Sequence, residues 1–178
     1  MRRSQAVLIV AVLILVATTL IGLLFSRPKS PPTLPLWERS RTVQLFFALE
    51  KGLAEEGRLI AKKSTVAEEA KQAVDELIKG PSERLFPTIP QGTRLLNLFV
   101  DRQGIAYVDF DAQLREGHTG GSFGELLTVY SIVDTLAANF PQIKKVQILL
   151  EGNEISTLVG HLDLRKPLSP KFSFESRT

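Results

Sequence analysis

This 178-residue chain is expected to fold as an α+β domain, two helices packed on one face of a small, mostly antiparallel sheet, preceded by one transmembrane helix. Three observations carry that expectation. Residues 6–25 run for twenty positions without a charge or a proline. Two stretches, opening at Thr65 and Ser122, place apolar side chains at helical spacing. On either side of Asp101–Gly104, two short runs alternate apolar and polar residues, as half-buried strands do. Laying both helices on one sheet face covers all of these apolar surfaces at once.

The first five residues form a short tail carrying Arg2 and Arg3. As a helix, residues 6–25 would be about 30 Å long, the thickness of a bilayer's hydrocarbon core. The run is longer than a cleavable signal's apolar region and ends in Leu23-Leu24-Phe25 rather than in small residues, so it reads as an uncleaved anchor. Arg27, Lys29, Arg39 and Arg41 balance the N-terminal arginines, and the flanking charge does not choose an orientation. The short leading tail is that of a signal anchor, which places the domain outside the cytoplasmic membrane, in the periplasm or its equivalent. Residues 26–42 contain prolines at 28, 31, 32 and 35 and read as an extended, semi-rigid linker. Trp37 lies in this linker, suited to packing on the domain edge.

The globular domain is expected over 43–168. Val43–Phe47 is apolar and aromatic, a strand; Arg58–Lys62 is a second extended piece. Thr65 and Glu68 have the spacing of a capping box. Val66, Ala70, Ala73, Val74, Leu77 and Ile78 then share one helical face, and Gly80-Pro81 stops the helix. Leu96, Leu98 and Val100 share one face of a strand; Ala106, Val108 and Phe110 share one face of the next, and the pair forms an antiparallel hairpin. Ser122 and Glu125 suggest a second capping box. Behind it Phe123, Leu126, Leu127, Tyr130, Val133, Ala137 and Phe140 line one side of a helix that Pro141 ends. Val146–Glu151 is another strand, with Thr157–Val159 expected to pair with it. Residues 169–178 read as a disordered tail.

Charge and composition narrow the function. The net charge is +3, but residues 1–42 hold six basic side chains against Glu38 alone. From Val43 onward sixteen basic residues face eighteen acidic ones, which gives no footprint for nucleic acid. The absence of cysteine excludes disulfides, thiol catalysis and a lipid-modified cysteine.

Three groups of residues stand out as candidate sites. Gly117–Ser122 opens a helix, where free N–H groups bind anions, but it lacks the Gly-Lys-Ser/Thr ending of a phosphate loop. Glu125 in the first turn would repel a phosphate, so the capping reading is preferred. Asp109, Asp111, Glu116 and His118 crowd ten residues; without a fixed geometry for three ligands they read as a solvated strand end. His161 is expected to cap a strand or to bond a carboxylate such as Asp163. Two histidines and no Gly-x-Ser-x-Gly elbow leave no catalytic constellation. No catalytic, metal-binding or cofactor-binding residue is assigned, and no cofactor is expected.

The stretch from Val43 to Leu168 resembles the GerMN domain family, named from a spore germination and sporulation protein. The resemblance rests on the opening apolar strand, Leu77-Ile78-Lys79-Gly80-Pro81, Ile89-Pro90-Gln91-Gly92-Thr93 and Gly104–Phe110. It continues through Gly121-Ser122 with Glu125, Asp134-Thr135-Leu136, Val146–Gly152, and Gly160-His161 with Asp163. It implies a fold akin to ring-building modules, with no enzymatic activity. It also implies a domain tethered outside the cytoplasmic membrane that supports envelope assembly, sporulation or germination through protein–protein contacts. The expected partners are other envelope proteins or further copies of the chain, with the membrane reached through residues 6–25. The alternative is a cell-wall hydrolase using Asp109, Glu116 or Glu125, or a peptidoglycan-binding module.

Overall fold

In the computed structural model the described residues are 13–21, 39–82 and 84–172. The chain divides into two units, Met1–Pro35 and Leu36–Thr178. In the first, residues 13–21 are helical, with Leu13, Ile14, Leu15, Val16, Leu20 and Ile21 all exposed. Among the described residues no helix is long and apolar enough to cross a membrane. The expected span over 6–25 extends beyond the described residues on both sides, and Trp37 also lies outside them.

The second unit begins with a hairpin. Strand β1 (Ser40–Leu49) pairs antiparallel with β2 (Gly52–Ala61) from Ser40↔Ala61 to Leu49↔Gly52. Both strands are longer than their apolar cores predict. Residues 48–57, ALEKGLAEEG, are mostly good helix formers without a β-branched side chain. Pairing with β1 overrides that local preference.

Helix α1 (Val66–Ile78) starts as the sequence predicts. Thr65 Oγ1 accepts the Glu68 N–H and Glu68 Oε2 accepts the Thr65 N–H, both at 3.2 Å. Its buried residues are Ala70, Ala73, Val74 and Leu77. Gly80, at φ 85°, ends it, a left-handed turn that a side chain would strain. The hairpin of β3 (Leu95–Val100) and β4 (Ile105–Phe110) also forms as expected. Asp101 Oδ1 holds its turn by accepting the N–H groups of Gln103 and Ile105. A register shift between Leu95 and Asn97 alters one detail: Leu95 turns toward the core and Leu96 is left exposed.

Three features differ from expectation. First, there are two sheets, not one: β1-β2, and β3-β4 continued by β5 (Lys145–Leu150) and β6 (Asn153–Glu154). Between β4 and β5 (Lys145–Leu150) lie the short helix α2 (Gln113–Glu116), unforeseen in sequence, and the long α3 (Ser122–Asn139). This crossover returns the chain to the same end of the sheet, so β4 and β5 are parallel. Second, β5 turns through Glu151 and Gly152 directly into β6 (Asn153–Glu154), and residues 157–159 do not pair with it. Leu168 instead bridges to Val146. Third, the tail is held as far as its description reaches. The Lys171 N–H donates to Asp134 Oδ1 at 2.7 Å, and the Phe172 ring lies 6.3 Å from that of Phe46. Residues 173–178 lie outside the described residues.

Both helices touch strands of both sheets, and a single core runs from Val43 and Phe47 through Leu77 and Leu136 to Ile148 and Leu164. This explains why α3 is buried on more than the predicted face. Leu127, Val133 and Phe140 are buried as expected, Phe123 is exposed, and Val129, Ile132 and Leu136 join the core. Two of its buried polar residues, Asn139 and Thr135, serve β1. Asn139 Oδ1 accepts the Gln44 N–H at 2.8 Å, and Asn139 Nδ2 donates to the Gln44 carbonyl at 2.7 Å. Thr135 Oγ1 accepts the Phe46 N–H. Helix side chains thus take the place of a third strand. Asn139→Ala strands both Gln44 groups, and urea denaturation is expected to show a loss of about 2 kcal/mol; a loss below about 0.5 kcal/mol would mean that water replaces the amide.

Candidate functional site

The loops that converge on the start of α3 hold most of the residues singled out from sequence. The expected capping box at Ser122 does not form. Gly121 is the N-cap, at φ 85°, and no side chain bonds the first turn. Glu125 is fully buried and points away from the helix end. Its Oε1 accepts the N–H groups of Leu158 (2.8 Å) and Val159 (3.0 Å); its Oε2 accepts that of His161 (2.7 Å). His161 Nδ1 lies 3.3 Å from the same oxygen. Burial pushes the Glu125 carboxyl up, but the N–H groups of Val159, His161 and Leu158 outweigh it and hold the pKa below the ordinary glutamate value. Glu125 therefore organises the 157–162 loop. His161 finds its carboxylate in Glu125, while Asp163 pairs with Arg165 at 2.8 Å.

On another side of the α3 N-terminus is a cleft of about 300 Å³ between the 86–91 and 117–121 loops. His118 forms one wall. Its Nδ1 accepts the Gly120 N–H at 2.9 Å, which leaves the proton on Nε2, 3.1 Å from Thr128 Oγ1. Thr128 donates in turn to the Thr88 carbonyl at 2.6 Å. This directed chain ties both loops to the helix. The Thr88 hydroxyl lies beside it, buried and without a partner among the described residues.

The crowded residues at the end of β4 take separate partners. Asp111 is buried rather than solvated: it accepts the Arg94 backbone N–H (3.0 Å) and side-chain Nε (2.8 Å). Burial raises its carboxyl and the bonds to Arg94 more than reverse this, leaving it lowered. Asp109 accepts the Gly152 N–H at 2.8 Å. Glu116 lines a different cleft with Arg115 and Glu151. Among the described residues no three His, Cys, Asp or Glu side chains converge as metal ligands. The structure brings together Glu125 with His161, and His118 with Thr128, but not the hydrolase set of Asp109, Glu116 and Glu125.

A family profile described as "Germane: Sporulation and spore germination" matches residues 44–156. The chain belongs to this GerMN-domain family. Among solved structures, the GerMN domain here is similar to the first GerMN domain of the sporulation protein GerM from Bacillus subtilis. That match has a TM-score of 0.57 at 22% identity, covering 72% of this chain and 97% of that one. Against the tandem GerMN domains of GerM the TM-score is 0.57 at 21% identity, covering 73% of this chain and 46% of that one. A candidate lipoprotein from Clostridium perfringens matches with a TM-score of 0.53 at 22% identity, covering 77% of this chain and 92% of that one. No curated protein matches.

The family match ends at residue 156, just before the loop that closes over Glu125. Here Arg115 of α2 adds a second tie, donating from Nε to the Leu158 carbonyl and from Nη2 to that of Thr157, both at 3.0 Å. Sequence reasoning missed Arg115, Thr88 and Thr128. Only Thr128 carried a signal, a hydroxyl on an otherwise apolar helical stretch of the GerMN domain.

Proposed function

We propose that this chain is a membrane-anchored, non-enzymatic GerMN protein that docks, outside the cytoplasmic membrane, with another envelope protein or a second copy of itself. The free edge of β2 carries this reading. From Gln44 onward the outward side of β1 is bonded at the Gln44 N–H and carbonyl by Asn139, at the Phe46 N–H by Thr135, and at the Ala48 N–H and carbonyl by Phe86. By the hairpin register, the outward groups of β2 belong to Leu53, Glu55, Gly57, Leu59 and Ala61. Ala61 is bonded to Gln72 at the end of the strand. The N–H groups of the other four have no partner among the described residues, and Leu59 is 71% exposed beside them. An open edge of this kind accepts an added strand.

Support for the location comes from the N-terminus and the relatives. Residues 6–25 form an uncharged run of membrane-spanning length, and 13–21 are helical with apolar side chains all exposed. The Clostridium perfringens protein, a candidate lipoprotein, and GerM, a sporulation protein, fit an envelope role linked to sporulation and germination.

A photo-crosslinking residue at position 55 of the full chain, in intact membranes, is expected to give a discrete protein adduct. Leu59→Lys should abolish it while changing stability by less than about 0.5 kcal/mol. No adduct, or one indifferent to L59K, overturns the assignment of this edge.

A further inference from the structure

The geometry points to one occupant for the β2 edge: β2 of a second copy of this chain, added antiparallel about a twofold axis through Gly57. The inference deepens the docking proposed above and rests on that open edge.

Gly57 is the first observation. A glycine inside a strand weakens it and marks a bulge or the close approach of another backbone. The hairpin register runs unbroken through the Gly57↔Gln44 pair, which excludes a bulge. Its φ lies outside the left-handed region, and a Cβ there would meet Thr42 Cγ2 at 3.4 Å and Gln44 Oε1 at 3.8 Å, ordinary contacts. One copy therefore has no need of a glycine at this place. Gly57 is exposed within the open stretch 53–59, and a second backbone laid along it supplies the reason.

Charge selects the occupant and the register. Antiparallel pairing about Gly57 sets Gly57 against Gly57 and Glu55 against Leu59, each pair exchanging two backbone hydrogen bonds. Between them Arg58 faces Glu56 of the second copy, on both sides of the axis, at the more closely spaced pairs. Within one copy these side chains already form an ion pair at 2.6 Å, so the twofold joins two ion pairs into one alternating group. Centring the axis on Glu55, Glu56 or Arg58 sets like charges face to face, which destabilises a strand pair. Centring it on Leu59 needs the Ala61 N–H and carbonyl, which Gln72 occupies. The strand is thus complementary in charge to itself in the Gly57 register. On the reading above both copies share one membrane, and that confinement makes a short ladder sufficient.

The test is disulfide trapping of the full chain in lipid vesicles under mild oxidation. The sequence has no cysteine, so an introduced thiol reports alone. Facing Gly57 Cα atoms lie about 5.5 Å apart, within disulfide reach, whereas residue 55 or 59 is about 14 Å from its own counterpart. Gly57→Cys is expected to give about tenfold more covalent dimer than Glu55→Cys or Leu59→Cys. Mixed E55C and L59C chains, which keep Gly57, are expected to link to each other. Leu59→Glu, facing Glu55 of the copy twice, should cut the G57C dimer about tenfold. Leu59→Lys should spare it, because the new ammonium meets that same acid, which the position-55 probe replaces. Monomers in both the G57C and the mixed experiment, equal trapping at 55, 57 and 59, or a dimer indifferent to L59E overturns self-pairing. The two readings fail separately. A position-55 adduct with a protein of another mass, alongside monomeric G57C, removes self-pairing and leaves the open edge standing; no adduct at all removes both.

Discussion

Glu125→Ala is expected to destabilise the domain by on the order of 4 kcal/mol, a large fraction of a typical domain's total stability. The substitution leaves the N–H groups of Leu158, Val159 and His161 without their acceptor, beside a cavity the size of a glutamate side chain. Glu125→Gln retains one acceptor oxygen but turns an NH₂ group toward the remaining donors, and about 2–3 kcal/mol is expected. Amide exchange should show the loss concentrated in residues 157–162, with α1 and the β3–β4 hairpin opening only in the global transition. The pH dependence has a definite sign. The folded-state carboxyl lies below the ordinary value of 4.5. Its contribution is therefore fully present above pH 4.5 and is lost as the pH falls through the folded value. A urea-unfolding free energy for E125A within about 1 kcal/mol of the parent would refute the role given to this side chain.

The second large effect has the opposite sign. Asp134 is buried under the C-terminal segment; Oδ1 accepts the Lys171 N–H, while Oδ2 has no partner among the described residues. Burial pushes its pKa from 3.8 up to about 6, only partly countered by that hydrogen bond. Tyr130, whose ring lies 5.8 Å from the Lys171 ammonium, is raised by burial and by the Asp134 charge. A folded state that holds its proton more tightly is favoured by acid. The Asp134 contribution is present below pH 3.8, is lost as the pH rises to about 6, and leaves a buried charge at neutral pH that costs about 2–3 kcal/mol. Asp134→Asn keeps an oxygen for Lys171 and removes the charge. At pH 7.5 it should stabilise the domain by about 2 kcal/mol, and at pH 3.5 the gain should vanish. A variant less stable than the parent at pH 7.5 would show that the ionised carboxylate is satisfied in solution.

Elements specified by neighbouring residues were legible in advance. The Thr65–Glu68 box, the stop at Gly80, the Asp101–Gly104 turn and the alternation through β4 each depend on contacts within a few positions. Where the deciding contact came from far along the chain, local pattern misled. Residues 48–57 look helical and form strand because β1 lies alongside. Ser122 and Glu125 have the spacing of a cap, yet Glu125 serves a loop more than thirty residues away. Asp109, Asp111, Glu116 and His118 are close in sequence and separate in space, because strand, short helix and loop turn them toward Gly152, Arg94, a separate cleft and Thr128.

From the sequence alone came the long uncharged N-terminal run, the α+β class, two helices with their spacing and ends, and the resemblance that the family match confirmed. Tertiary structure alone decided the division into two sheets, the parallel pairing of β4 with β5, the use of Asn139 and Thr135 as a surrogate strand, and the partners of Glu125, Asp134 and Thr88. The physical reason is the range of the forces involved. Backbone propensity and capping act within one or two turns, whereas a buried polar group must take its partner from whatever segment the packed core brings beside it.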